Sequence, residues 1–304
     1  MSRLPLVKLP KRIVYVDDDG AFLDALRKIM PKHAREFRDS PRLTLEAIRG
    51  EMPYWRAIEL LLAYAHESRD TPGGEARMYV KRYFQDWRRF HMTGVLIVDY
   101  NMPGMTGLDL VKELDDCPAR RVLLTGVADA EVAVRAFNQG LIQKFIPKST
   151  PNLNREITNS ANEMHRSVCE HLGHLMRGTL TSEQVELLHE RSVVDGLERK
   201  LEELGWIEYV VVGEPFGILG LAYDGPLQWI QLETEQSLSD HAESLADYGY
   251  DPADVKAVRD CTAVSTHEIL TKLGLPAAKT VIDTDSCLLS PLFSVPWSIS
   301  RYRF

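Results

Sequence analysis

Cysteine is scarce: Cys117, Cys169, Cys261 and Cys287 are the only four in 304 residues. No two form a C-x-x-C pair. That excludes the spacing of a structural zinc site, and reduced thiols in a cytoplasmic protein are the expected state. Long apolar runs are missing as well. The longest, such as VLIV at 95–98 and VVV at 210–212, are strand-length, and the opening MSRLPLVKLPKR has no apolar stretch. Neither a signal peptide nor membrane insertion is therefore expected. Positive charge is short in one half only. Residues 179–304 carry 21 Asp+Glu against 9 Lys+Arg, a balance of −12 within a total of −8, which leaves +4 for residues 1–178. Nucleic-acid binding needs a basic footprint, so a DNA-binding output is not expected from the second half. Internal repeats and low-complexity tracts are also lacking.

What is present is alternation. RIVYV at 12–16 reads as a buried strand that ends on Asp17, Asp18 and Asp19, and residues 20–30 carry Phe22, Leu23, Leu26, Ile29 and Met30 at helical spacing. Asp19 fits the start of that helix. A short extended piece near Phe37 precedes Ser40 and Pro41, an N-cap and first-turn pair for a helix through Leu45 and Ile48. VLIVDYNMPGMTG at 95–107 is a strand ending on Asp99. Residues 108–114 then read as a helix, 121–124 as a strand, 131–138 as a helix, and 144–146 as a strand running into Pro147 and Lys148. Such alternation implies a doubly wound parallel sheet with helices on both faces.

The segment 51–91 interrupts this pattern. Residues 58–65 and 76–90 read as helices around the break Thr71-Pro72-Gly73-Gly74. In the second, Arg77, Lys81, Arg82, Arg88 and Arg89 interleave with Tyr79, Tyr83, Phe84, Trp87 and Phe90. Such a helix packs its aromatics on its own domain more often than it docks nucleic acid or a partner.

Residues 154–176 read as one long helix. Ile157, Ala161, Met164, Val168, His171 and Leu175 step by 4, 3, 4, 3 and 4, which fits either a dimerising coiled coil or packing on the same chain. Thr181 and Gln184 suit a capping box, and a helix holding Leu197, Leu201 and Leu204 stops at Gly205. Three strands follow at 206–212, 218–223 and 227–232, with a hairpin signal at Asp224-Gly225. Helices follow at 236–248 and, capped by Asp251, at 253–260. The second domain is thus expected to be a small α+β unit with an antiparallel sheet. An enzymatic reading would place Asp224 and Glu233 at a nuclease-like metal. The lysine such a site needs is missing, since Glu235 stands two residues after Glu233. His189, His241 and His267 show no metal-ligand spacing.

In an open α/β sheet the carboxyl ends of the strands converge on one crevice. Asp17, Asp18, Asp99, Thr125 and Lys148 all fall there. Three carboxylates together repel one another unless a divalent cation neutralises them, and oxygen-only ligands suit Mg²⁺. A hydroxyl and an ammonium beside them suit a phosphoryl group.

Residues 11–150 resemble the receiver domain of two-component response regulators, through IVYVDDD, VLIVDYNMPGMTGLDL, VLLTG and KFIPK in that order. The resemblance implies a flavodoxin-like, CheY-like fold and a phosphoryl group accepted by Asp99 from a histidine kinase or phosphotransfer protein. It implies that Asp17, Asp18, Asp99 and the backbone carbonyl of Asn101 hold Mg²⁺. Thr125 and Lys148 would bind the phosphoryl oxygens, and Phe145 would reposition when Thr125 moves. Two departures stand out: Pro147 precedes the lysine where receivers usually have Pro after it, and Asp99 follows Asp17 by 82 residues because 51–91 is inserted. LLTGVADAEVAVRAFNQGLIQKFIPKS is similar to the response regulators of α-hydroxyketone quorum sensing. The expected organisation is a receiver at 1–150 with its insertion, a helical linker at 151–204 with a capacity to dimerise through 154–176, and an output domain at 205–304. That domain would bind a protein or small-molecule target.

Overall fold

The computed structural model describes residues 4–10, 12–30, 35–64, 84, 86–126, 129–214, 216–222, 227–260, 262–265 and 281–283. The expected break at 71–74, the basic-aromatic residues Arg77, Tyr79, Lys81, Arg82 and Tyr83, the hairpin turn at 223–226, Cys261, His267, Cys287 and the tail from Leu288 lie outside them. The described residues fall into two units. One holds those within Leu9–Leu61 and Asp86–Leu172, the other those within Met1–Lys8, Leu62–Gln85 and Gly173–Phe304.

The first strand of the chain, β1 (Val7–Lys8), belongs to the second unit. The α/β unit begins with β2 (Ile13–Val16), all of it buried, followed by α1 (Gly20–Ile29). Asp19 caps α1, its carboxylate accepting the amides of Ala21 at 2.9 Å and Phe22 at 3.1 Å, while Arg27 and Lys28 complement the dipole of the last turn. After β3 (Arg35–Arg38) comes α2 (Pro41–Tyr64), with the Ser40 hydroxyl accepting from the Leu43 amide. β4 (Val95–Asp99), α3 (Gly107–Lys112), β5 (Arg120–Thr125), α4 (Ala130–Asn138) and β6 (Lys144–Pro147) complete the alternation. The strand order is β3-β2-β4-β5-β6 and every pairing is parallel, the doubly wound flavodoxin-like arrangement. From β2 the chain adds β3 on one side and β4 on the other, so the order of the strands switches there and the crevice of the sheet opens at the carboxyl ends of β2 and β4. Pro147 causes no conflict because β6 is an edge strand.

On one face Ile13, Tyr15, Val95, Ile97, Val122, Leu124 and Ile146 pack with Leu23 and Leu26 of α1. Ile157, Ala161 and Met164 join the same core from α5 (Leu153–Met176). This corrects the expectation of a separate linker at 151–204: the first half of α5 is a core helix of the α/β unit. Of the two readings of its stripe, burial follows packing on the same chain. Burial follows Ile157, Ala161, Met164, Val168, Leu172 and Met176, whereas His171 and Leu175 are exposed. Those steps of 4, 3, 4, 4 and 4 are wider than the 3.5-residue average of a left-handed supercoil. A dimer through this stripe would have to uncover the core.

The insertion differs from expectation as well. α2 runs unbroken through Pro53 for 24 residues, so the helix expected through Leu45 and Ile48 and the one expected at 58–65 are one element. Leu45, Ile48, Met52, Trp55, Ile58 and Leu62 are all buried and keep one helical stripe. Burying that stripe outweighs the roughly 3 kcal/mol an interior proline costs. Of the helix expected at 76–90, the described residues hold a 3₁₀ turn at Trp87–His91, capped by Asp86.

The second unit is an antiparallel sheet of order β1-β7-β8-β9, with β7 (Trp206–Val212), β8 (Gly217–Ala222) and β9 (Leu227–Gln231). Val7 pairs with Val210, so the first residues of the chain build the domain expected to start at 205. α6 (Ser182–Leu187) starts on the expected Thr181–Gln184 capping box. α7 (Arg191–Glu203) buries Val194, Leu197 and Leu201 against Trp206, Tyr209 and Ile218. Gly205 ends this helix region at φ 62°. Gly217 and Gly220 are required by their neighbours: a Cβ would sit 2.3 Å from the Trp229 ring and 2.5 Å from the Trp206 ring. α8 (Glu235–Asp247) and α9 (Pro252–Arg259) pack together with Ala263 and Val264 of β10 (Ala263–Ser265), which pairs with β11 (Val281–Asp283). No helix among the described residues is long and apolar enough to cross a membrane.

Candidate phosphoacceptor site

Each strand of the α/β unit that borders the crevice ends on a polar residue. Asp17 directly follows β2, and its carboxylate accepts the Asp19 amide at 2.9 Å, so one oxygen is held by the turn that starts α1. Asp99 is the last residue of β4. The chain then turns tightly: the Gly107 amide donates to the Tyr100 carbonyl at 2.9 Å, and a Cβ on Gly107 would lie 2.1 Å from the Asp99 carbonyl oxygen. Only glycine fits that approach. Thr125 ends β5, and Lys148 follows β6 with its amide on the Thr125 carbonyl at 2.8 Å.

These ends bring the expected site residues together. Lys148 Nζ lies 2.7 Å from Asp17 Oδ2 and 2.9 Å from Asp99 Oδ1, and it sits 4.8 Å from the centre of the Phe22 ring. Asp17, Asp18 and Asp99 offer ligand oxygens all within 4.8 Å of one another, with Asp17 and Asp99 buried and Asp18 exposed. Burial raises the pKa of Asp99, and the charges of Asp17 and Asp18 raise it further, while the Lys148 hydrogen bond works against them. Burial pulls the Lys148 pKa down, but its bonds to Asp17 and Asp99 more than offset this and the net shift is upward. Three carboxylates against one ammonium leave a surplus of negative charge. The all-oxygen donor set and that surplus fit a hard divalent cation such as Mg²⁺.

Thr125 adds a second mismatch. Its hydroxyl is buried and has no hydrogen-bond partner among the described residues. A buried hydroxyl without a partner costs about 1–3 kcal/mol, so a site that keeps one is prepared for an acceptor from outside. Phe145 stands on β6 opposite Leu123 of β5 and is half-buried, its ring edge-to-face with Phe137 at 6.5 Å and 75°. Asn101 lies in the turn after β4. Its side chain is exposed, and its amide donates to Asp129 Oδ2 at 3.0 Å.

One feature of the α/β unit had no clear signal in the sequence. Glu51 is buried and accepts the Thr93 amide at 2.6 Å and hydroxyl at 3.0 Å, with Arg12 at 3.5 Å. Its place on the stripe of α2 becomes visible only once that helix is known to continue. Of the basic-aromatic segment, Arg89 is buried over the Phe90 ring, and Arg88 stacks on Tyr54 at 4.3 Å while pairing with Asp86. Both are turned toward their own domain.

The second unit holds a cavity of about 250 Å³ whose walls include Thr181, Gln184, Phe216, Glu233, Ser237 and His241. Glu233 accepts from the Ser237 hydroxyl at 2.6 Å and from Gln231, with His241 Nδ1 at 3.6 Å. Among the described residues, the only group of three carboxylate, histidine or cysteine side chains placed to share a metal is Asp17, Asp18 and Asp99. Cys117 and Cys169 are buried free thiols, and burial pushes the Cys117 thiol up to about 11.

No family model and no curated protein matches the chain. Among solved structures, the Legionella pneumophila response regulator LqsR is similar, at 24% identity and a TM-score of 0.66. The likeness covers 86% of this chain and 78% of that one. A CheY-like response regulator receiver domain protein from Methanospirillum hungatei JF-1 is 20% identical over 52% of this chain and 98% of its own, at a TM-score of 0.31. A response regulator receiver domain protein from Clostridium thermocellum is 15% identical over 51% and 94%, at 0.32. The strand order and the likeness to LqsR agree on the fold. The α/β unit has the CheY-like receiver form of the flavodoxin-like fold, with a separate antiparallel sheet in the second unit.

Proposed function

We propose that this protein is a phosphorylation-switched response regulator in which Asp99 accepts a phosphoryl group from a histidine kinase or phosphotransfer protein. The observation that carries the reading is the buried Asp99 carboxylate held at 2.9 Å from Lys148, beside two further carboxylates and a buried hydroxyl that lacks a partner among the described residues. An Asp99 oxygen forms the new O–P bond as the bond from phosphorus to the donor's imidazole nitrogen breaks, and the electron pair leaves with the imidazole. Lys148 balances charge on the transferring oxygens, and the Thr125 hydroxyl gains its missing acceptor. Asp17, Asp18, Asp99 and the Asn101 carbonyl would hold Mg²⁺, which when bound supplies positive charge to the phosphoryl oxygens. The product is an aspartyl phosphate, later released by water.

The switch follows from the mismatch at Thr125. Its movement toward a phosphoryl oxygen changes the space beside Phe145 on the neighbouring strand, and an element with two packings of similar energy converts that into a surface change. The second unit is then an acidic protein- or ligand-binding output of a cytoplasmic signalling protein. The resemblance of residues 123–149 to regulators of α-hydroxyketone quorum sensing suggests the kind of circuit. The enzymatic alternative would run through the cavity at Glu233, and metal-dependent nucleotide or DNA turnover lost in Glu233→Gln would favour it.

The test is incubation with Mg²⁺ and a small phosphodonor such as phosphoramidate. The wild type should gain one acid-stable, hydroxylamine-labile phosphoryl group, and a chelator should prevent it. Absence of that adduct in the presence of Mg²⁺ would overturn the reading.

A further inference from the structure

Asp129 stands at the N-cap of α4, yet its side chain accepts no amide of that helix. Asp19 and Asp251 occupy the same position on α1 and α9, and both cap. A capping residue takes extended backbone, whereas Asp129 has φ −102° and ψ 6°. Its carboxylate is engaged instead by the Asn101 amide at 3.0 Å, from the loop that follows Asp99 by two residues. The first turn of α4 therefore has no side-chain cap from Asp129, while the carboxylate suited to provide one is held elsewhere.

We propose that Asp129 is a positioning residue that exchanges partners when Asp99 is phosphorylated, a step that rests on the phosphoacceptor reading above. A phosphoryl group brings nearly two negative charges and strong acceptor oxygens to Asp99. It draws the Asn101 amide to itself by a charge-assisted hydrogen bond and repels the Asp129 carboxylate. Asp129 then rotates into extended backbone and caps α4, where the helix dipole favours a negative charge. α4 carries the exposed Val134 and Phe137, and Phe137 touches Phe145. Phosphorylation would thus firm the start of the helix whose apolar side chains face solvent.

Amide hydrogen exchange at Glu131 and Val132 reads the exchange directly, using the full chain with Mg²⁺ and beryllofluoride as the phosphoryl mimic. In the wild type these amides should slow about five-fold on adding beryllofluoride, the size of one N-cap hydrogen bond. Asn101→Ala should show the slowing without beryllofluoride, because Asp129 is released. Asp129→Ala should show none in either state, and Asp129→Asn, which keeps a capping oxygen, should restore it. Slowing that survives in Asp129→Ala, or amides indifferent to Asn101→Ala, would overturn the proposal. Should the wild type fail to take a phosphoryl group at all, the functional reading fails, while the Asn101→Ala arm still decides the partner exchange.

Discussion

Replacing Asp99 with asparagine should make the metal-free protein more stable at neutral pH, although it removes an ion pair with Lys148. At an effective dielectric of about 20, unit charges 2.9 Å apart attract by roughly 6 kcal/mol, and charges 4.8 Å apart repel by roughly 3.5 kcal/mol. Asp99 gains the first from Lys148 and loses at least the second to Asp17. Asp18 adds about half as much again, because it is exposed and screened. The pair interactions nearly cancel, which leaves the desolvation of a buried carboxylate, several kcal/mol, largely unopposed. Asparagine keeps an acceptor for Lys148 and removes the charge, for a net gain of about 1–2 kcal/mol, or roughly 2–4 °C in Tm per kcal/mol.

The sign follows from linkage. The folded pKa of Asp99 lies above its unfolded value, so the folded state binds the proton more tightly. The stability it contributes is complete below an unfolded pKa of about 3.9 and is lost as pH rises through the folded value. The advantage of Asp99→Asn should therefore be absent in acid and grow toward neutral pH. The assay is thermal or urea unfolding in a chelator across that range. With excess Mg²⁺ the gap should close, since the wild type has the better cation site. A variant less stable than wild type in chelator at neutral pH would show that the Lys148 pairing outweighs the repulsion, and would refute the reasoning.

Lys148→Met should destabilise the chelated protein by about 3–5 kcal/mol in urea unfolding, because it strands Asp17 and Asp99 as buried neighbours; combined with Asp99→Asn, the loss should be clearly smaller than the sum. Gly107→Ala should cost at least 1–3 kcal/mol and lower phosphoryl acceptance, since its Cβ displaces the Asp99 backbone; unchanged melting would contradict the tight approach. Glu51→Ala should cost about 1–3 kcal/mol by leaving the buried Thr93 amide and hydroxyl without acceptors, measured as a shift of the unfolding midpoint.

The α/β unit was legible because β2, β4 and β5 carry apolar runs closed by a polar residue, and α1 and α2 carry caps at Asp19 and Ser40. Those local signals also located Asp17, Asp99, Thr125 and Lys148 at strand ends, where topology alone brings them together. Other features depend on tertiary context. Two residues of β1 are too few for a periodicity, and only the edge of β7 gives them meaning. The segment from Glu51 reads as an interruption until the stripe from Leu45 to Leu62 is buried as one face of a single helix. On α5 the heptad steps and the buried stripe agree from Ile157 to Val168 and part only at His171, so a short stretch could not separate self-packing from a coiled coil. The Asn101–Asp129 bond joins residues 28 apart and has no sequence signal.

The most direct measurement is location of the phosphoryl group itself. After reaction with the phosphodonor and Mg²⁺, reduction of the acyl phosphate with borohydride followed by peptide mass spectrometry should mark Asp99 alone, and Asp99→Asn should carry no mark. A mark on Asp18 or elsewhere, or undiminished labelling of Asp99→Asn, would contradict the assignment of Asp99 as the acceptor.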